Sequence, residues 1–442
     1  MKSRFQILFI LMTLLFLYTG AEAEEKPKRV VLKNGIVLLL QERHSIPTVI
    51  VNVKIRAGSI YEPEELAGLA NLTAELLTEG TKTRAAKQIS EEIDFVGGSI
   101  GTSANLDYAA ASLSILKKDV ALGLDLLSDI LMNPAFDEKE IERIRSHVIT
   151  GIINQKDEPG SVAAKAFAKI LYLKHPYSRP SEGLEDTLPK IKKEDIINFH
   201  RKYYRPNNII MAVVGDITLE EAAALIEKYF GKWEKKKTDF PKIPLPPKLT
   251  GKSAELIDKD LTQATIYMGH IGISRKNPDF YPIIVMNYIL GGGGFSSRLV
   301  DDIRDNQGIA YSVSSGFDSR LYPGPFRVVM QTKNENANKA IAAILKHIED
   351  IRTNPVKDSE LNDTKSYIVG SFPLRMDSNT KMAELLALIE FYELGLDYFT
   401  DYPKRVNAVT KEDILRIAKK YLDPKNYLLV VVAKQKEAEI AR

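Results

Sequence analysis

Residues 192–208 read KKEDIINFHRKYYRPNN, and residues 410–426 read TKEDILRIAKKYLDPKN. The two stretches lie 218 positions apart and agree at eight of seventeen positions. Each runs into an apolar strand, residues 209–214 in the first copy and 427–432 in the second. A second pair of landmarks agrees. The helix-periodic stretch 118–132 ends at Asn133-Pro134 and the stretch 339–353 ends at Asn354-Pro355, an offset of 221. Two unrelated segments with nearly the same long period indicate an internal duplication. The chain therefore reads as two homologous domains of about 200 residues each, within the usual range.

Between the copies, residues 234–252 carry Lys235 to Lys237 and then Pro241, Pro244, Pro246 and Pro247. Such a composition makes a stiff polar connector. With the linker at 234–250, the domains span 24–233 and 251–442. Within the first copy, Asn34-Gly35 between two apolar runs over 30–41 signals a hairpin. Residues 48–57 and 109–116 read as strands, and 65–79, 86–95, 118–132, 138–154 and 161–173 as helices. The mixture lacks the strict alternation of a parallel sheet. The predicted class is α+β, each domain a largely antiparallel sheet packed with helices.

Composition narrows the chemistry. At 44% hydrophobic and 27% charged, the 442-residue chain can bury a large core. It has no cysteine, which excludes disulfides, thiolate nucleophiles, cysteine zinc knuckles and iron–sulfur ligation. A balance of 61 basic to 58 acidic residues argues against nucleic acid as the main partner. Lys2 and Arg4, an apolar run over 5–18 and Ala21-Glu22-Ala23 form the pattern of a secretory signal peptide over 1–23. The mature chain would begin at Glu24. No later stretch is long and apolar enough to span a membrane. The expected destination is the periplasm, with release to the medium as the alternative.

Several motifs in fixed order carry a resemblance. Ala67-Gly68-Leu69-Ala70 opens a helix that ends at Gly80-Thr81. His175-Pro176-Tyr177, Glu182-Gly183 and Tyr204-Arg205-Pro206-Asn207-Asn208 follow. The second half has Gly291 to Phe295, Ser297-Arg298-Leu299, Ile303-Arg304 and Gly308 to Val313. Together these resemble the insulinase/pitrilysin family of zinc peptidases, in the two-domain form related to mitochondrial processing peptidase. The resemblance covers essentially the whole mature chain.

Active members of that family carry H-x-x-E-H on the first long helix. Two histidines at i and i+4 share a helix face and ligate zinc, the glutamate activates the bound water, and a distal glutamate completes the site. The matching segment here is Asn71-Leu72-Thr73-Ala74-Glu75. Asn71 stands at the first histidine, Ala74 at the general base, Glu75 at the second histidine, and the family's spacing places the distal ligand at Gly151. All four positions are changed, which predicts no metal site and no catalytic residue in this chain alone. The six histidines, His44, His147, His175, His200, His270 and His347, never pair at ligand spacing and read as surface or capping residues.

The second half keeps what the first has lost. Active family members pair the zinc half with an arginine and a tyrosine seven positions apart, which contact substrate and help stabilise the oxyanion. Arg304 and Tyr311 match that spacing. A guanidinium and a phenol are fixed donors suited to a developing oxyanion. Without the resemblance, the same residues read as a solvated helix arginine and a half-buried strand tyrosine. Gly291 to Gly294 resembles the glycine-rich segment of the non-catalytic processing-peptidase subunit. It reads equally as a turn between two helices. Gly97-Gly98-Ser99-Ile100-Gly101 formally matches the serine-hydrolase elbow, but a helix precedes it and an extended stretch follows, the reverse of what the elbow needs. The glycosylation sequons at Asn71 and Asn362 both fall in predicted helices.

The resemblance thus implies a non-catalytic subunit of a heterodimeric periplasmic zinc endopeptidase. Arg304 and Tyr311 would serve an H-x-x-E-H partner in trans, zinc would reside in that partner, and the substrate would be a peptide or unfolded polypeptide. The competing expectation is an inactive peptide-binding or scaffold member of the same family, with Arg304 and Tyr311 as remnants.

Overall fold

In the computed structural model, which describes residues 26–441, the chain forms two sheets of one design. The predicted signal segment lies outside the described residues. The first sheet holds β1 (Lys28–Val31), β2 (Val37–Glu42), β3 (Thr48–Ile55), β4 (Ser99–Ala104), β5 (Ala109–Leu116) and β6 (Ile209–Gly215), in the order β1-β2-β6-β3-β5-β4. The second holds β7 (Lys252–Asp258), β8 (Gln263–Ile271), β9 (Ala310–Phe317), β10 (Pro325–Lys333) and β11 (Tyr427–Ala433), in the order β7-β11-β8-β10-β9. Without β1 the two orders correspond strand for strand. The parallel pair falls at the same place in each, β2 beside β6 and β7 beside β11. The remaining pairings are antiparallel. The α+β architecture is the one the sequence predicted.

The two apolar strands after the repeated helix explain the packing. Every residue of β6 is buried, as is all of β11 after its first residue. A strand buried on both faces reads as a continuous apolar run rather than an alternating one. Ile209, Met211 and Val213 point into the first half's own core, whereas Ile210, Ala212 and Val214 point the other way. That second face is covered by the helix Asn379–Phe391, through Ala383, Leu386, Ala387 and Phe391. The arrangement is reciprocal. Leu429, Val431 and Ala433 of β11 join the second core, while Leu428, Val430 and Val432 pack on Ala163, Phe167 and Leu171 of the helix Pro159–Tyr172. The two crossing helices start 220 positions apart, so they are themselves equivalent under the duplication. Each half lends one helix to the other's sheet.

A buried polar knot reinforces this junction. Asp107 is 3% exposed. It accepts hydrogen bonds from Tyr177 Oη, from the Leu321 amide at 3.0 Å and from Tyr392 Oη at 3.1 Å. The donors come from both halves, so the carboxylate is satisfied only when the halves are joined.

Most helices lie where periodicity put them, over Ala86–Phe95, Val120–Met132 and Glu138–Asn154. The stretch 65–79 departs from expectation. A short turn at Glu64–Leu66 breaks at Ala67-Gly68, and the helix proper is only Leu69–Glu75. Gly68 has φ +99°, and a Cβ there would lie 2.9 Å from the Gly183 Cα. Two glycines 115 positions apart thus allow backbone-to-backbone contact, and the helix starts after the contact.

In the second copy of the repeat, Asp279 binds Lys420 at 2.8 Å, Tyr421 Oη at 2.8 Å and Arg416 at 3.0 Å. These bonds outweigh the effect of burial and hold its carboxyl down at about 2. An aspartate with a depressed pKa adds stability above its unfolded value near 4 and loses it as pH falls through the folded value. Asp279→Asn is therefore expected to cost roughly 2 kcal/mol at pH 7, with the gap closing between pH 4 and pH 2 in denaturation curves.

Helix exchange generates a second expectation. Leu386 is fully buried, and Leu386→Ala should cost about 3 kcal/mol. The single tryptophan, Trp233, sits in the first core. Its fluorescence midpoint in urea should fall together with the far-ultraviolet dichroism midpoint, although residue 386 lies in the other half. An unmoved Trp233 transition would show that the halves unfold independently.

Candidate functional site

The helix Leu69–Glu75 lies under the first sheet with six of its seven residues buried. Its N-terminus is fixed by Glu62, whose carboxylate accepts from the amides of Gly68 and Ala70, each at 2.9 Å. Burial nevertheless dominates and pushes this carboxyl up to about 8. Sequence reasoning missed Glu62, since nothing in Glu62-Pro63-Glu64-Glu65 distinguishes the buried acid from its exposed neighbours. The helix also touches edge strand β4, where Thr102 Oγ1 donates to the Ala74 carbonyl at 2.7 Å.

Asn71 Nδ2 donates to Glu75 Oε1 at 2.8 Å, so the residues at the two histidine positions bind each other across one helical turn. Ala74 is fully buried. Gly151 lies on the neighbouring helix Glu138–Asn154, and a Cβ there would meet nothing within 4 Å. The zinc chemistry of active family members does not fit this donor set: one amide and one carboxylate, already joined, a methyl group and a hydrogen. Among the described residues, no three His, Asp or Glu side chains gather into a group that could hold a metal ion.

His44 and His147 are exposed, as their spacing suggested, but three other histidines are less superficial. His175 caps the turn Pro176–Ser178 through Nδ1, which accepts from the Tyr177 amide at 3.1 Å, but it is itself buried. Burial, with Arg179 nearby, holds its imidazole down at about 4. His200 Nε2 meets the Leu131 carbonyl at 2.9 Å and stacks on Tyr204, and burial holds it at about 4 as well. His270 packs on Phe326. Each of these rings satisfies a nitrogen on backbone, which lets it pack inside rather than at the surface.

The second half presents a different surface. The helix Phe280–Asn287 widens into a π-helical turn over Tyr288–Gly292, and Arg304 lies in another wide turn over Val300–Asn306. Such wide turns mark places where a helix departs from regular bonding to reposition side chains. Gly291 packs directly on β9: a Cβ would lie 2.6 Å from Ser315 Oγ and 2.9 Å from the Ser315 amide. Asn287 also ties this helix to Ser315, through bonds of 3.1 and 2.8 Å. Gly291 is thus a packing glycine. The tip of the segment, Gly294-Phe295, stands out with Phe295 74% exposed.

Arg304 places its guanidinium 4.8 Å above the Phe295 ring and lies 3.7 Å from Asp305. Tyr311, on edge strand β9, is 72% exposed. No hydrogen bond joins Arg304 to Tyr311 among the described residues, and none joins either to Asn71 or Glu75. Both donors are partly or fully in solvent with spare hydrogen-bonding capacity. The stacking partner Phe295 was legible only as part of a glycine-rich segment. Ser99 opens β4 after a helix, in helix–turn–strand order, so it forms no nucleophile elbow.

Residues 37–183 match the family profile described as "Insulinase (Peptidase family M16)", and residues 190–368 match one described as "Peptidase M16 inactive domain". The chain belongs to this peptidase family. It is 28% identical over 360 residues to a Bacillus subtilis protein named "Uncharacterized zinc protease YmxG", covering 80% of this chain and 86% of that one. It is 24% identical over 390 residues to a Helicobacter pylori protein named "Non-peptidase homolog YmxG", covering 88% and 89%. The solved structure of a peptidase M16 inactive domain from Pseudomonas fluorescens matches with a TM-score of 0.87 at 27% identity, over 92% of this chain and 98% of that one. A protease from Helicobacter pylori shares the fold, with a TM-score of 0.86 at 22% identity over 92% and 99%. Within the family, this chain is an inactive-type member. Among the described residues no helix is long and apolar enough to cross a membrane.

Gly151 offers a clean test of whether the lost distal position is used. It is exposed, helical and open to a side chain, so Gly151→Ala is expected to raise stability by about 1 kcal/mol in chemical denaturation. A destabilised variant would mean that the space above Gly151 is occupied in the working protein.

Proposed function

We propose that this chain is the non-catalytic subunit of a heterodimeric periplasmic zinc endopeptidase, acting with a partner that carries H-x-x-E-H. The observation that carries the reading is an asymmetry. The positions for metal ligation are replaced by an amide–carboxylate pair, a methyl and a glycine, while Arg304 and Tyr311 remain and are available to another molecule. On this reading zinc is held by the partner. Arg304 and Tyr311 enter its active site, where they orient the scissile carbonyl and stabilise charge developing on its oxygen. The peptide adds as an extended strand to a sheet edge, and β4 and β9 are the edges nearest the two sites. Because the exchanged helices bind the halves of this chain together, closure over the substrate takes place between subunits rather than within this one.

The test is kinetic. Mixing the chain with its H-x-x-E-H partner should restore cleavage of an unfolded peptide. Arg304→Ala should lower kcat/KM of the mixture by about 100-fold, the scale of losing one oxyanion donor, without weakening assembly. Tyr311→Phe should have a smaller effect in the same direction. A partner fully active alone, or an Arg304→Ala complex with unchanged kcat/KM, points instead to the scaffold reading.

A further inference from the structure

A hollow of about 370 Å³ opens where the helix Pro159–Tyr172 and the loop 177–182 of the first half meet β10 of the second. Tyr177 and Glu182 of the sequence motifs border it, but none of the residues around it belongs to the degenerate zinc positions or to the Arg304–Tyr311 surface. Its size is in the range of small-ligand sites. The helix side is shallow because Ser161, Ala164 and Ala168 stand three and four residues apart on one face and leave the space that larger side chains would fill. Leu106, Phe167 and Tyr172 supply apolar wall, the last two 2% and 1% exposed.

The charge around the hollow is unbalanced. Four cations, Lys165, Arg179, Arg320 and Arg327, share it with one carboxylate, Glu182. Lys165 pairs with Glu182 at 3.1 Å, and Arg320 pairs with Asp318. The other two make no salt bridge among the described residues, although the buried Glu62 carboxyl acts on Arg179 from a distance. Arg327 makes no side-chain hydrogen bond or ion pair with another described residue. Arg179 has one long bond of 3.5 Å to the Glu62 carbonyl, and its Nε is buried with no acceptor among the described residues. A buried N–H without an acceptor is costly and calls for a partner. Two unpaired guanidiniums beside an apolar wall suit a carboxylate, which accepts from planar N–H pairs, attached to an apolar body.

We propose that this hollow is a binding site for an organic monocarboxylate with an apolar body, held by Arg179 and Arg327. Two sources share that chemistry, the C-terminal residue of a peptide and a free aliphatic acid. The site lies wholly within this chain and does not depend on the partner reading.

The test uses the full mature chain and titration calorimetry with four probes: N-acetyl-Leu-Phe, its C-terminal amide, octanoate and octanamide. At least one of the two acids should bind saturably, and its amide at least about tenfold more weakly, the scale of one lost charge-assisted bond. Arg327→Gln should weaken that acid at least about tenfold with an unchanged melting temperature, since Arg327 has no partner to orphan. Ala168→Phe, which fills the hollow, should abolish binding. Tighter binding of the peptide acid assigns the peptide source, and tighter binding of octanoate the free acid. The proposal is overturned if neither acid saturates, if amides bind as well as acids, or if Arg327→Gln binds like the wild type.

Discussion

The structure depends on one constraint: neither half can cover its own sheet. The outward residues of β6, Ile210, Ala212 and Val214, are as apolar as the inward ones, and so are Leu428, Val430 and Val432 of β11. A sheet with two apolar faces must be covered twice. The chain meets this requirement by exchanging equivalent helices, Pro159–Tyr172 onto the second sheet and Asn379–Phe391 onto the first. The Asp107 knot, with donors from both halves, adds a polar condition to the apolar one. The halves are thereby fixed relative to one another, and with them the edge strands β4 and β9.

Much of this was legible in the sequence, and the rest was hidden for physical reasons. The duplication, the Asn34-Gly35 hairpin and the long helices follow from local pattern, which periodicity and turn residues report directly. The runs at 209–214 and 427–432 were legible as apolar strands, but their burial on both faces, and the elements that cover the second face, came only with the structure. The break at Gly68 was missed because its cause, contact with Gly183, is a long-range approach of backbones. Asp107 and Glu62 were missed for the same reason: their partners are backbone amides and tyrosines brought up by tertiary packing. The loss of the metal positions was readable only through the family resemblance. The self-pairing of Asn71 with Glu75 required coordinates.

Duplication makes the proposed division of labour physically reasonable. Each half presents a helix tied to an edge strand, through Thr102 and Ala74 in the first and through Asn287 and Ser315 in the second. A scaffold that repeats the same geometry can lose the chemistry of one copy without losing the shape that the other copy uses. In the first copy the polar groups have turned inward, onto each other. In the second, Arg304 rests on Phe295 and Tyr311 stands in solvent, with donor capacity not consumed by the fold. That contrast is the physical content of the claim that the chain contributes to a reaction it does not perform alone.

The most direct measurement of that claim is metal analysis of the complex purified from its native host and of the chain after separation from its partner. The account predicts that zinc stays with the partner and that this chain, once separated, carries substoichiometric metal. Stoichiometric zinc retained by the separated chain would contradict it.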